Sequence, residues 1–274
     1  MIRSITVPPL ERLEAFLPKP ARHDPVTRDQ VMAVLDLVAA KGDQGVRDCQ
    51  RKFDGVDLSP DQWEVPASEW SEALDRLDPV LREALETAVS RVREYHQRQK
   101  DPGFQLLHED GSILGMRVTP IDRVGIYVPG GKASYPSSVI MNAVPASVAG
   151  VPEIILVTPP SGITDAVLAA AAISGVTRMF KIGGAQAIAA LAYGTTTIPR
   201  VDKIVGPGNR WVAEAKRQVA GLVGIDMIAG PTEVLVIADG TADIAHVAAD
   251  LIAQAEHDED ACAWCVTTDL QLAE

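Results

Sequence analysis

The sequence predicts an α/β fold built on a parallel, doubly wound sheet, and three features carry that expectation. From residue 123 to residue 238 short apolar runs alternate with stretches of helical periodicity. The runs are continuously apolar, as strands covered on both faces must be, and Gly/Pro clusters fall where they end. Aromatic residues are only 4% of the chain, and Ala, Val and Ile carry most of its 47% hydrophobic content, a profile that favours α/β layers over a β-sandwich. At 274 residues the chain can bury a sizeable core as one large domain or two smaller ones.

Taken in order, Pro18, Pro20 and Pro25 set a short N-terminal arm, residues 1–20, apart from a helical block. Within that block Val31, Val34, Leu35 and Val38 share one helical face, and Leu81, Ala84, Leu85, Ala88, Val89 and Val92 share another. Strands are then expected at RVGIYV (123–128), EIILVT (153–158), MFKIG (179–183), DKIV (202–205), GIDMIA (224–229) and EVLVIA (233–238). Helices at about 137–149, 164–172, 185–192 and 210–220 separate the first five. A helix from Thr241 to His257 follows, with Ile244, Val247, Ala248, Leu251, Ile252 and Ala255 as its buried stripe. The run ACAWCVTT then reads as a buried strand.

The strands end in VPGG (128–131), TPPSG (158–162), IGGAQ (182–186) and GPGN (206–209). Ligands of open parallel sheets bind beyond the carboxyl ends of the strands, where such loops open helices and can receive phosphate or ribose. Any one of these loops is equally well explained as a tight strand-to-helix turn, and no G-x-G-x-x-G is present.

A net charge of -12 with no Lys/Arg cluster argues against a nucleic-acid partner and for a small-molecule ligand. Apolar stretches such as Ala166–Ile173 are too short to span a bilayer, and the first residues lack the pattern of a signal peptide, so a cytoplasmic protein without membrane attachment is expected. Three cysteines suit a reducing compartment. Cys262 and Cys265, three residues apart on a strand, point to opposite faces and read as buried cysteines rather than a metal pair.

On the helix ending at His257, Gln254 and His257 are three residues apart and can reach one point, with Asp250 one turn earlier on the same side. His246 faces the same way but lies roughly 16 Å from His257 along the axis, too far to share a metal. A histidine at a helix end is more often a cap than a ligand, so the pair alone is thin support for zinc.

The text around that pair is more informative. IDMIAGPTEVLVIAD (225–239) and VAADLIAQAEHDEDA (247–261) resemble the signature of the histidinol dehydrogenases. The likeness continues through GIYVPGGKASYPSSVIMNAVPASVAGVPEI (125–154), KIGGAQAIAALAYGT (181–195) and VDKIVGPGNRWVAEAK (201–216), and more loosely through GDQGVRDCQRKFDGV. The resemblance implies zinc-dependent oxidation of L-histidinol to L-histidine through the aldehyde with two NAD+, the last step of histidine biosynthesis. It implies Tyr127, Gln186 and Asn209 as NAD contacts, Thr232 as a substrate contact, and Gln254 and His257 as ligands of one zinc ion per subunit that also touch the substrate. A homodimer with exchanged elements is implied too. Read from the residues alone, Tyr127 would be a core tyrosine and Asn209 a helix N-cap.

On that resemblance the fold is two incomplete, Rossmann-like, doubly wound domains with a helical N-terminal region. Residues 21–127 with 232–274 form the first, and residues 128–231, with the nucleotide loops, form the second. The chain matches the N-terminal two-thirds of the family. Its glutamate-histidine acid/base pair, its aspartate zinc ligand and its last histidine ligand are expected beyond Glu274, so no catalytic residue is assigned and the 274-residue chain is expected to be inactive by itself. His23, His96 and His108 have no context that would make them substitutes. Ala253 stands where the family usually has Ser, and Cys262 where it usually has Gln. The competing readings are a family relative that oxidises a different alcohol and a non-catalytic fragment.

Overall fold

The computed structural model describes residues 24–130, 135–228, 233–256 and 261–273. The arm at 1–20 and His23 lie outside them. The chain falls into two compact units, one holding residues 24–228 and the other residues 233–273.

The larger unit opens with α1 (Pro25–Lys41), whose first turn is fixed by Asp24 accepting from the Val26 and Thr27 amides and by Pro25 at the first position. Its buried face is Val31, Val34, Leu35 and Val38, as the spacing predicts. Next, α2 (Asp43–Cys49) runs into a π-helical turn, Gln50–Asp54. Two further helices, α3 (Ala67–Arg76) and α4 (Pro79–Gln97), follow. Of the α4 stripe only Leu85 and Val89 are buried, while Leu81 stays exposed. A hairpin of β1 (Phe104–Leu107) and β2 (Ile113–Met116) comes next, which the sequence reading missed. Every residue of it is exposed, so no one-sided apolar alternation announces it.

The sheet that follows contains β3 (Arg123–Tyr127), β4 (Glu153–Thr158), β5 (Arg178–Lys181), β6 (Lys203–Val205) and β7 (Gly224–Ile225). All neighbours are parallel and the order is β5-β4-β3-β6-β7. Helices α5 (Pro136–Ala149), α6 (Asp165–Ser174), α7 (Gly184–Tyr193) and α8 (Arg210–Val219) connect them. Successive strand residues point to opposite faces. Ile154 and Leu156 therefore join the core beneath α5 and α6, while Ile155 and Val157 join the one beneath α7 and α8. Ile126, Ile154, Ile155 and Leu156 are at most 1% exposed. Each such side chain contributes about 1.5–3 kcal/mol of burial.

On the outside, α1 packs against α7 and α8, and α3 and α4 pack against α6 and α5. The helical block and β3 thus share a compact unit with 135–228, whereas the sequence partition divides the chain at residue 127. The physical reason is that β3 is the middle strand and both core layers are built around it. The strand expected at 224–229 ends at Ile225. Asp226 turns its carboxylate inward to accept from the Gly206 amide, and Met227 and Ile228 are exposed.

In the smaller unit β8 (Glu233–Ala238) pairs in parallel with β9 (Cys262–Thr267), and α9 (Ile244–Ala255) joins them, ahead of a short α10 (Leu270–Ala273). The helix starts three residues later than predicted because Asp239 holds the Thr241 amide and hydroxyl in a turn, and Asp243 then caps it through the Ala245 amide. Its apolar stripe is not the buried one expected, since Ile244 and Ile252 are 56% and 64% exposed. Nor are both cysteines of β9 buried: Cys262 is half-buried and Cys265 exposed, on opposite faces of the strand. Two strands cover only a narrow part of α9, chiefly Val247, Leu251 and Gln254. Among the described residues no helix is long and apolar enough to cross a membrane.

Candidate functional site

Strand order reverses between β3 and β6: the chain winds outward through β4 and β5 and then returns to the other side of β3. The chain leaves β3 and β6 in opposite directions there, and the carboxyl edge of the sheet at such a point is the usual ligand position in these folds. The two loops are tightly apposed at their bases. Gly206, at the end of β6, has φ +109°, and a Cβ there would lie 2.2 Å from the Tyr127 carbonyl oxygen. Only glycine fits.

Tyr127 points to the α7 side and is 3% exposed. Its hydroxyl accepts from the Gly184 amide at 3.1 Å, which ties the end of β3 to the loop after β5. Burial pushes its phenol up to about 12, opposed by the Gly184 amide and reinforced by the Asp54 carboxylate. Gly184 itself has φ +66°, and a Cβ there would meet the Gln186 Oε1 at 2.7 Å. Gln186 is 1% exposed, and its Nε2 donates to Asp54 Oδ2 at 3.2 Å. Burial raises the Asp54 carboxyl from its ordinary value, and the Gln186 hydrogen bond partly offsets this. At the other end of the π-turn Gln50 donates to the Lys181 carbonyl at 2.8 Å.

The loop after β6 has its own support. Asp226 accepts from the Gly206 amide at 2.8 Å, and Lys216 of α8 donates to the Gly206 carbonyl at 2.9 Å while pairing with the Asp226 carboxylate. Lys216 is 3% exposed, so this ion pair satisfies a charge that burial would otherwise make costly. Asn209 is exposed and caps α8, its Oδ1 accepting from the Trp211 and Val212 amides at 3.1 and 3.2 Å.

Tyr127 and Gln186 thus converge on Gly184, while Asn209 stands on the neighbouring loop across the β3/β6 reversal. In the smaller unit Gln254 is 8% exposed and lines a cleft of about 570 Å³ with Asp250, Ala253 and residues 234–237 of β8. Thr232 and His257 lie outside the described residues. Among those described, no group of three or more His, Cys, Asp or Glu is placed to hold a metal ion. Sequence reasoning missed Asp54, Lys216 and Asp226. Lys216 was detectable, because Val212, Ala215, Lys216 and Val219 recur at i, i+3, i+4 and i+7, and a lysine on a buried stripe demands a partner. Asp226 left a fainter trace as a carboxylate inside an apolar run, and Asp54 left none.

The family model described as histidinol dehydrogenase matches residues 17–274. A histidinol dehydrogenase of Pseudomonas putida is 53% identical over 274 residues, covering 95% of this chain and 62% of the relative. That of Burkholderia pseudomallei is 56% identical over 254 residues, covering 90% and 57%. The crystal structure of histidinol dehydrogenase from Elizabethkingia anophelis superposes with a TM-score of 0.88 at 36% identity, covering 97% of this chain and 62% of that one. The chain therefore spans about three-fifths of the length of the curated relatives it matches. With a family match over almost its whole length and a fold shared with a solved member, the chain belongs to the histidinol dehydrogenase family.

Proposed function

We propose that this chain carries the nucleotide-binding sheet of an NAD+- and zinc-dependent histidinol dehydrogenase that oxidises L-histidinol to L-histidine through the aldehyde. The observation that carries the reading is the strand-order reversal between β3 and β6, with Tyr127 at the end of β3, Asn209 capping α8 after β6 and Gln186 in the first turn of α7, all toward the carboxyl edge of the sheet. The loops fit a nucleotide: Gly206 allows the close approach of β3 to β6, and the N-terminus of α8 offers a positive end that would favour an anion. Bound NAD+ supplies the hydride acceptor. Asn209 has its Oδ1 engaged in the cap, which leaves its Nδ2 to donate to the ligand. Tyr127 and Gln186 are buried, and their part is to set the shape of the loop on which the nucleotide lies.

Gln254 and His257 are the proposed zinc ligands within this chain, and Thr232 is the proposed substrate contact. Two neutral donors do not make a zinc site by themselves, so the described residues fall short of one, and the metal rests on further ligands from the part of the relatives that this chain does not span. The acid/base pair is assigned to the same part. A cytoplasmic homodimer is proposed on the family resemblance.

Calorimetric titration of NAD+ into the chain tests the nucleotide reading. Saturable binding that Asn209→Ala weakens is expected, and absence of binding overturns it. With histidinol and NAD+ supplied, the 274-residue chain is expected to form no NADH, and measurable turnover would disprove the assignment of the acid and base to another segment.

A further inference from the structure

Asp54 sits in an unusual place for a carboxylate. It ends the π-turn Gln50–Asp54, is half-buried, and has the Gln186 amide as its one hydrogen-bond donor among the described residues. No lysine or arginine pairs with it there. A π-turn is itself a costly backbone feature that recurs at functional positions. Here it reaches from the helical block to the β5–α7 junction and grips it twice, through Gln50 on the Lys181 carbonyl at the end of β5 and through Asp54 on Gln186 in the first turn of α7.

The grip has a chemical consequence for Gln186. A side-chain amide has a donor end and an acceptor end and can occupy its space either way round. An ionised carboxylate only accepts, so Asp54 fixes Nε2 toward itself and turns Oε1 back over Gly184, which is free of a Cβ at that spot. Gly184 is in turn held by the Tyr127 hydroxyl. Asp54 thereby sets one end of a connected line, Asp54–Gln186–Gly184–Tyr127, that joins the helical block through the start of α7 to the end of β3.

We propose that Asp54 is a positioning residue for nucleotide binding, acting through Gln186 by fixing the orientation of its amide and with it the loop after β5. This rests on the nucleotide reading given above. Asp54 is not expected to touch the nucleotide.

The test is a double-mutant cycle on NAD+ affinity, read by calorimetry on the 274-residue chain. Asp54→Ala is expected to raise Kd by about tenfold, and Asp54→Asn, whose own amide can turn either way round and so no longer dictates the Gln186 orientation, to raise it by at least about threefold. In a Gln186→Ala background Asp54→Ala should cost nothing further, because the two residues act as one unit. Unchanged affinity in Asp54→Ala, or additive losses in the double variant, overturn the proposal. A wild-type chain that binds no NAD+ overturns the nucleotide reading itself, and this assignment with it. Should Asp54→Ala fail to fold, the Gln186 side-chain amide resonances decide. Slow solvent exchange in wild type with a shift in Asp54→Asn supports the grip, and free exchange in wild type refutes it.

Discussion

Tyr127 shows how a single buried hydroxyl can be both a structural tie and a liability. Its phenol is raised from 10.0 to about 12, chiefly by burial, so the folded chain holds the proton where the unfolded chain has released it. Between those values the unfolded state binds fewer protons, and stability falls as pH rises. The contribution is fully present below pH 10 and is lost as pH approaches about 12. In magnitude the loss is about 2–3 kcal/mol. Urea midpoints measured at pH 9 and pH 11.5 should therefore diverge more for the wild type than for Tyr127→Phe. The variant will itself be weaker at pH 9, since the Gly184 amide loses its acceptor. Equal pH dependence in the two proteins would contradict the assignment.

At the scale of elements, the sequence was most legible where a strand is buried on both faces. EIILVT at 153–158 is the observed β4 residue for residue, because every position is apolar or ends the run and the flanking Gly150 and Pro159 punctuate it. It was least legible where partners come from far along the chain. The Gln50 and Asp54 contacts to the loop after β5 span more than a hundred residues, and no periodicity encodes them. Asp226 likewise stops β7 early through a bond to Gly206 rather than through any local breaker. Asn209 illustrates two roles at one position, helix cap and proposed ligand donor, which substitution can separate. Asn209→Ala removes the cap and should cost about 0.5–2 kcal/mol of stability. Asn209→Ser keeps a capping oxygen and should hold stability to within about 0.5 kcal/mol while still weakening NAD+, because the hydroxyl cannot supply the Nδ2 donor. Thermal melts and calorimetry on the pair of variants check this, and parallel losses in both properties would reduce Asn209 to a cap alone.

For the whole molecule, the strand ends that carry the proposed nucleotide residues were legible in the sequence, but the division of the chain into compact units was not. Tyr127, Gln186 and Asn209 were placed at strand ends by position alone, whereas the two compact units follow which helices cover which strands, a property of three-dimensional contacts. The same contacts explain the failed expectation for α9. Its stripe was read as buried because helices of that pattern usually are, yet the two-stranded β8–β9 pair leaves Ile244, Ile252, Leu235 and Ile237 from 56% to 77% exposed. Phe104, Leu107, Ile113 and Leu114 of the β1–β2 hairpin are exposed as well, on a two-stranded ribbon that has little stability alone. Apolar surface of this extent drives association in water. Sedimentation velocity of the 274-residue chain should accordingly show a weight-average mass that rises with concentration above 29.2 kDa. Ile237→Lys, at a site 77% exposed, should reduce that rise without lowering the thermal midpoint. A concentration-independent monomer would mean that these faces are satisfied within the chain itself, and the structure of the smaller unit would then have to differ from the one described.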